Sequence, residues 1–252
     1  MKEVQEAFDK TNEILFGKPI GNIQNYEAWL TNRTLAGKLG KSAITNKPIY
    51  LPKYSIFKTV PENCAAEVEA LPDLSKKSVP IDENETMENL AKKLPGILPF
   101  IVEFEEGENS NIQDSTIYFN LHYAYKAIDC FRSKYVAYSF WLDECDHVFG
   151  NFRSFYCSFS INCFKSIKVT RSFEVDSSKN CSDVMFCHNC DNVRDSIFCF
   201  NAKNKRYAIA NVEVGKDAFM KAKAVLVKYI LDELEKKRYL EINVHNIGAK
   251  KK

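Results

Sequence analysis

The residues best suited to chemistry lie close together in the last third of the chain, at Cys181, Cys187, His188, Cys190 and Cys199. Cys187 and Cys190 form a C-x-x-C pair with an imidazole between the two thiols, and zinc takes four ligands of these types. One interpretation of this stretch is therefore a metal- or iron–sulfur-handling scaffold. It would use Cys181, Cys187, His188 and Cys190, with zinc or an iron–sulfur cluster as its cofactor.

A repeat that extends well beyond these cysteines offers another explanation for them. In blocks of nine residues counted from Ala127, the first and fourth positions hold only small residues or small hydrophobic ones. The first positions are Ala127, Val136, Cys145, Ser154, Cys163, Ser172, Cys181, Cys190 and Cys199. The fourth positions are Cys130, Ser139, Val148, Cys157, Ser166, Val175, Val184, Val193 and Ala202. Buried thiols behave as small hydrophobes, so the pattern favours packing over metal binding and predicts no cofactor.

Taking every second block sharpens the pattern to a period of eighteen residues. The predicted interior columns are Cys145, Cys163, Cys181 and Cys199, and Val148, Ser166, Val184 and Ala202. Like residues at a fixed spacing are typical of a chain wound in equal coils, where each residue lies on its counterpart one coil below. The sequence therefore predicts a mainly β protein. Its core would be a parallel β-solenoid of about eighteen residues per coil, built from nine-residue half-coils.

Composition divides the chain into three parts. All eight prolines lie between Pro19 and Pro99, and eight of the nine cysteines lie between Cys130 and Cys199. This change predicts an irregular α+β N-terminal region with a proline-rich arm over residues 1–110, including a helix over 2–16, and a solenoid over 111–214. The remainder, 215–252, contains a predicted helix over 216–238, which we expect to cap the open end of the solenoid.

Few features of the sequence favour catalysis. It contains no G-x-S-x-G, P-loop or dinucleotide-binding motif. A β-helical enzyme acting on a polysaccharide requires carboxylates clustered on one face. The candidates Asp183, Asp191 and Asp195 do not share a column of the repeat. We therefore expect a protein that is not an enzyme.

Charge and cysteine content constrain partners and compartment. The net charge is +2 and the charged residues are mixed along the chain, so we expect no nucleic-acid partner. No apolar run approaches the roughly 18 residues that a membrane span requires, so we expect no membrane partner. An odd number of cysteines suggests a reducing compartment. The predicted location is intracellular (cytoplasmic), or in a particle assembled there.

Outward-facing residues offer a candidate interaction face. In the period of eighteen, Tyr138 and Tyr156 share one register, and Arg153 and Arg171 share another. A ladder of aromatic and arginine side chains on a flat β face can hold a sugar or another protein. Ordinary cross-strand pairing on a solvated sheet explains the same residues.

The run CSDVMFCHNCDNVRDSIFCFNAKNKRYAIANVEVG, residues 181–215, resembles uncharacterised cysteine-rich repeat proteins of bacterial, archaeal and viral genomes. In those proteins Asn-Cys blocks precede an Asn-Lys-x-Tyr segment and a helix, and the resemblance covers about residues 120–235. It implies a right-handed parallel β-solenoid and no assigned activity. The architecture is also similar, at the level of fold only, to the β-helical cores of the SufB and SufD iron–sulfur assembly proteins, and such a likeness carries no function by itself.

Taken together, these features predict a non-enzymatic structural, assembly or protein-interaction protein, with a protein partner or self-assembly. One alternative is a virion or other particle-associated structural component that uses the proline-rich arm as a clamp. The other alternative is the metal- or iron–sulfur-handling scaffold described above.

Overall fold

The main body of the protein is a parallel β-solenoid, which confirms the predicted fold class. The structure is a computed structural model that describes residues 1–35, 37–53, 58–142 and 144–249. Nine parallel strands from successive coils, followed by one antiparallel strand, form a ten-stranded sheet. A five-stranded sheet forms another side of the first coils. At a strand spacing of about 4.8 Å, nine coils extend about 43 Å.

The strands and helices have the following bounds. The solenoid strands are β5 (Glu105–Glu106), β6 (Ser110–Gln113), β7 (Thr116–Phe119), β8 (His122–Tyr125), β9 (Ile128–Phe131), β10 (Lys134–Ala137), β11 (Phe140–Leu142), β12 (Val148–Phe149), β13 (Phe152–Ser154), β14 (Ser160–Ile161), β15 (Ser172–Asp176), β16 (Ser182–His188), β17 (Asp191–Ile197), β18 (Lys203–Ile209) and β19 (Val212–Glu213). The N-terminal strands are β1 (Lys38–Lys41), β2 (Pro48–Leu51), β3 (Ala65–Ala66) and β4 (Phe100–Ile101). The helices are α1 (Lys2–Phe16), α2 (Glu27–Leu30), α3 (Leu71–Leu74), α4 (Met87–Lys93) and α5 (Lys216–Lys237).

Each coil contains twelve residues, so the predicted coil of eighteen is wrong. Val136 pairs in parallel with Ala124 on one side and with Val148 on the other, and the same offset holds between all the parallel strands of the ten-stranded sheet. The exception is the first pair of the five-stranded sheet, β5 and β7, whose offset is thirteen. The residues that face the interior recur every third position. Nine, twelve and eighteen are all multiples of three. Columns of residues spaced by nine or eighteen positions therefore contain interior residues, but these residues come from different sides of the coil.

The three-residue period comes from the backbone. From Asn111 to Trp141, and again from Asn180 to Ala210, every third residue has a left-handed conformation with φ between 46° and 59°. Asn and Asp tolerate this conformation better than other non-glycine residues, which accounts for the many asparagines at these positions. Four such residues per coil divide it into four short sides, and each side turns one residue inward.

The inward residues form four walls, named here in chain order. Wall A contains Ile112, Ala124, Val136, Val148, Ser160, Ser172, Val184, Ser196 and Ala208, and wall B contains Ser115, Ala127, Ser139, Asn151, Cys163, Val175, Cys187 and Cys199. Wall C contains Tyr118, Cys130, Leu142, Ser154, Ser166, Ser178, Cys190 and Ala202, and wall D contains Leu121, Ser133, Cys145, Cys157, Val169, Cys181, Val193 and Lys205. With only three residues per side, facing walls lie close together, so short side chains fill the interior.

Several polar wall residues are hydrogen-bonded to the neighbouring coil, whereas the buried Ser172 hydroxyl has no partner among the described residues. The Ser139 hydroxyl accepts a hydrogen bond from the Asn151 backbone N–H at 3.2 Å, and the Asn151 carbonyl oxygen Oδ1 accepts one from the Cys163 N–H at 2.9 Å. Buried polar groups that keep their hydrogen bonds avoid the desolvation penalty of unpaired ones. Serine and asparagine can therefore alternate with thiols and small aliphatic residues in the interior.

One outer side of the solenoid is apolar and is covered by helices. This helix flank consists of Tyr125, Ala137, Phe149, Ile161, Phe173, Met185 and Ile197. The predicted helix over 2–16 is confirmed as α1, which lies along the flank. Phe8 packs edge-on against Phe149 with ring centroids 5.0 Å apart, and Phe16 packs against Phe173 at 5.1 Å. The N-terminal region and the solenoid therefore share one core.

Helix α5 also packs on the helix flank, so the prediction that it caps the end of the solenoid is wrong. Leu226, Ile230 and Leu234 belong to the same buried cluster as the flank, and Arg238 Nη1 donates a hydrogen bond to Tyr26 Oη at 2.9 Å. An amphipathic helix buries more apolar surface along this continuous flank than across the end of one coil. No helix in the described ranges is long and apolar enough to cross a membrane.

A buried carboxylate joins three distant parts of the chain. Glu174, which is fully buried, accepts hydrogen bonds from Arg33 of the N-terminal region, from Asn162 Nδ2 at 3.0 Å and from the Val244 backbone N–H at 3.1 Å. The guanidinium of Arg33 also lies over the ring of Phe164, 4.5 Å from its centroid. This ion pair fixes the N-terminal region and the C-terminal tail to the same coil.

Candidate functional site

The cysteines line the interior, but they do not form the single column that the sequence predicted. Cys145 and Cys181 lie in wall D, whereas Cys163 and Cys199 lie in the opposite wall B. All four are at most 4% exposed. Successive cysteines of this set are eighteen residues apart, which is one and a half times the true coil length. They therefore alternate between two opposite walls.

The second predicted column divides in the same way. Val148 and Val184 lie in wall A, and Ser166 and Ala202 lie in the opposite wall C. All four are buried. The residues assigned to the interior from the sequence are therefore interior residues, but their stacking partners are different from those predicted.

The residues of the metal hypothesis do not form one site, although the Cys187 and Cys190 thiols, which both face the interior, are hydrogen-bonded to each other. Cys181, Cys187 and Cys190 belong to walls D, B and C. His188 lies on the outside of the coil, where its Nδ1 is 2.7 Å from Asp176 Oδ2. Within the described ranges, no group of three or more His, Cys, Asp or Glu residues could hold a metal ion.

Burial favours the protonated form of several interior thiols. It raises the pKa of Cys181 to about 12 and raises that of Cys130 well above the usual value. Near the C-terminal end, hydrogen bonding to Cys190 and Cys199 raises the pKa of Cys187, and the bond from Cys187 lowers the pKa of Cys199 to about 7. These last three thiols are at most 2% exposed, so access to them is blocked by the walls.

The predicted interaction face is not one surface. Tyr138 is fully buried beneath the N-terminal region, whereas Tyr156 is 50% exposed. Arg153 lies over the ring of the half-exposed Trp141, 4.9 Å from its centroid. Arg171, on another side of the coil, is bonded to Asp183 Oδ2 at 2.8 Å. A spacing of eighteen moves a residue to the opposite side of a twelve-residue coil, which is why the pairs separate.

Two of the three candidate carboxylates do share a column, contrary to the sequence-based expectation. Asp183 and Asp195 are twelve residues apart and lie on successive coils of one outer side. Each has a basic partner, since Asp183 pairs with Arg171 and Asp195 Oδ2 lies 3.4 Å from Arg206 Nε. Paired with arginines, these carboxylates act as part of a ladder of exposed ion pairs between coils.

The N-terminal end of the solenoid is acidic, and its edge strand is exposed. Residues 102–125 contain five carboxylates and no lysine or arginine, namely Glu103, Glu105, Glu106, Glu108 and Asp114. Strand β6 lies at the edge of the ten-stranded sheet, and its residues are exposed except for the half-buried Ile112. Phe104, whose backbone oxygen accepts a hydrogen bond from the Tyr118 N–H of β7, is 52% exposed. This end presents strand edge, apolar surface and negative charge together.

The C-terminal end has the opposite charge. Residues 201–216 contain Lys203, Lys205, Arg206 and Lys216 against the single carboxylate of Glu213. Strand β19 reverses direction and pairs antiparallel with β18, so it forms the other edge of the sheet. Val212 in β19 is 63% exposed. Sequence reasoning missed this polarity, although the run from 102 to 125 without a basic residue was a visible signal.

Comparison of the chain with protein-family models, with curated proteins and with solved structures found no match. The resemblance to cysteine-rich repeat proteins therefore stays a prediction. Functional inference depends on the geometry and charge of this molecule.

Proposed function

We propose that this chain is a non-enzymatic assembly protein whose solenoids associate end to end with further copies of the same chain. The observation that carries the proposal is the opposite charge of the two terminal coils. Four carboxylates and the half-buried Glu103, which accepts a hydrogen bond from the Val68 N–H, lie at one end. Lys203, Lys205 and Lys216 lie at the other with Arg206, which is paired with Asp195, and with the single carboxylate of Glu213. Opposite charges on two surfaces steer encounter and set the orientation in which the surfaces meet.

The architecture leaves the ends as the surfaces suited to association. The helix flank is already covered by α1 and α5, whereas β6 and β19 are the edge strands of the long sheet. An exposed strand edge is a template for pairing with another chain. An acidic end that meets a basic end makes a head-to-tail contact, and such contacts continue into a filament unless the rotation between copies closes a ring.

Sedimentation equilibrium or light scattering of the full chain tests the proposal. At about 0.02 M salt, where charges act over a long range, the average mass should exceed the monomer mass, and at about 0.5 M salt it should return to it. The monomer mass is 28.9 kDa. A mass that stays at this value at low salt and high protein concentration would overturn the proposal.

Charge variants locate the contact. Glu106→Lys with Glu108→Lys should abolish association by removing most of the acidic end, and Lys203→Glu with Lys216→Glu should do the same at the basic end. All four side chains are exposed, so the variants should fold. Lys165→Glu with Lys168→Glu is the matched control, since these exposed lysines lie in the middle of the solenoid. Equal loss of association in the control would contradict a contact between the ends.

A further inference from the structure

We infer that the cleft between the β1–β2 hairpin and the solenoid binds a small organic anion with an apolar body. The cleft has a volume of about 750 Å³, which suits a ligand of metabolite size. It lies between the N-terminal region and the first coils, where Lys126 of the solenoid and Glu27 of α2 both contribute to its lining. This inference is independent of the association of the solenoid ends.

The inner surface of the cleft is mainly aliphatic. Leu51, Ala65 and Val102 are buried and belong to one hydrophobic cluster with Val60 packed against it. Leu39 also lines the cleft and is 53% exposed, so an apolar surface remains open to solvent. Exposed apolar surface in a concave site is where the non-polar part of a ligand gains the most from leaving water.

The charged residues of the cleft leave an excess of positive charge. The Lys126 ammonium is 2.7 Å from Glu27 Oε1, and Lys38 is paired with Glu62. Lys53 and Lys58 also line the cleft, and neither has a carboxylate within salt-bridge distance among the described residues. Two ammonium groups without a carboxylate partner at the edge of an apolar cleft favour a negatively charged head group.

A buried phenol supplies a further polar contact. Tyr50 is 3% exposed and lines the cleft. Its hydroxyl oxygen accepts a hydrogen bond from the Gly37 backbone N–H at 2.9 Å, which leaves the hydroxyl proton to donate. A side chain at position 37 would meet the Tyr50 ring at 2.6 Å, so glycine is required for this close approach. The arrangement holds the phenol in a fixed position on the cleft wall.

Fluorescence titration with two matched probes tests the inference. Anilinonaphthalene sulfonate combines an apolar body with one negative charge, and N-phenylnaphthylamine is the same body without the charge. The full chain should bind one sulfonate probe. Lys53→Gln with Lys58→Gln should weaken that binding about tenfold, because it removes two exposed ion pairs with the sulfonate, and should leave the binding of the uncharged probe unaffected.

Two further variants complete the design. Leu39→Glu should weaken the binding of both probes, because it places a carboxylate on the exposed apolar surface of the cleft. Lys165→Gln with Lys168→Gln, on the solenoid surface, should change the binding of neither probe. The inference is overturned if the sulfonate probe does not bind, if removing Lys53 and Lys58 leaves its affinity unchanged, or if the surface control weakens it equally.

Discussion

Replacing Glu174 by glutamine should destabilise the protein strongly. The change keeps the shape of the side chain but removes the charge that faces Arg33 in a buried site. Removing one partner of a buried ion pair lowers the free energy of unfolding by about 3–5 kcal/mol, because the other charge is left uncompensated. The Arg33 side chain is 19% exposed and can recover some hydration, so we expect a value near the lower limit, about 3 kcal/mol.

Urea unfolding measures this free energy, and a double-mutant cycle isolates the pair. Arg33→Met alone leaves a fully buried carboxylate and should cost at least as much as Glu174→Gln. The double variant should cost clearly less than the sum, with a coupling energy of about 1–3 kcal/mol. Glu144→Gln is the control, because its pair with Arg132, at 3.6 Å, is mostly exposed and should contribute less than about 1 kcal/mol.

The same variant has a local consequence at the C-terminal tail. Glu174 Oε2 accepts the Val244 N–H, and an amide oxygen accepts a weaker hydrogen bond than a carboxylate does. Hydrogen exchange at Val244 should therefore accelerate more than at residues of α5. The reasoning is refuted if Glu174→Gln costs no more than Glu144→Gln, or if the effects of the two substitutions at the ion pair simply add.

Other predictions concern the interior and the bends. Burial lowers the pKa of His147, so the folded state favours the neutral ring and stability should fall as pH drops below the usual value of 6.5. In the His147→Phe variant the midpoint of urea unfolding should depend less on pH across that range. An unchanged pH dependence would contradict the assignment of this effect to His147. Asn180 has φ 48°, so Asn180→Val should cost about 1–2 kcal/mol more than Asn180→Gly in urea unfolding, and equal costs would exclude backbone strain. Val184→Asp should cost several kcal/mol and abolish cooperative unfolding, whereas a cooperative transition would place the residue outside the interior. Cys181→Ala should cost only about 1 kcal/mol, and an altered metal content by elemental analysis would contradict a packing role.

Local patterns could be predicted from the sequence because they are set by neighbours along the chain. The apolar spacing of α1 and α5 predicted both helices to within one residue. The recurrence of small residues assigned Cys181 and Val184 to the interior, because every left-handed residue turns the next side of the coil by the same amount. Because this turn repeats every three residues, the same pattern of small residues appears in every nine-residue block.

The number of sides in a coil depends on contacts between coils, which the same pattern does not encode. Interior columns at nine, twelve or eighteen residues all satisfy a period of three, and only the pairing of Val136 with Ala124 and Val148 selects twelve. The ion pair between Arg33 and Glu174 joins residues 141 positions apart, and no local signal marks it. The polarity of the two ends likewise has meaning only once the chain is wound into a rod, because winding brings all the charges of a terminal coil onto one surface.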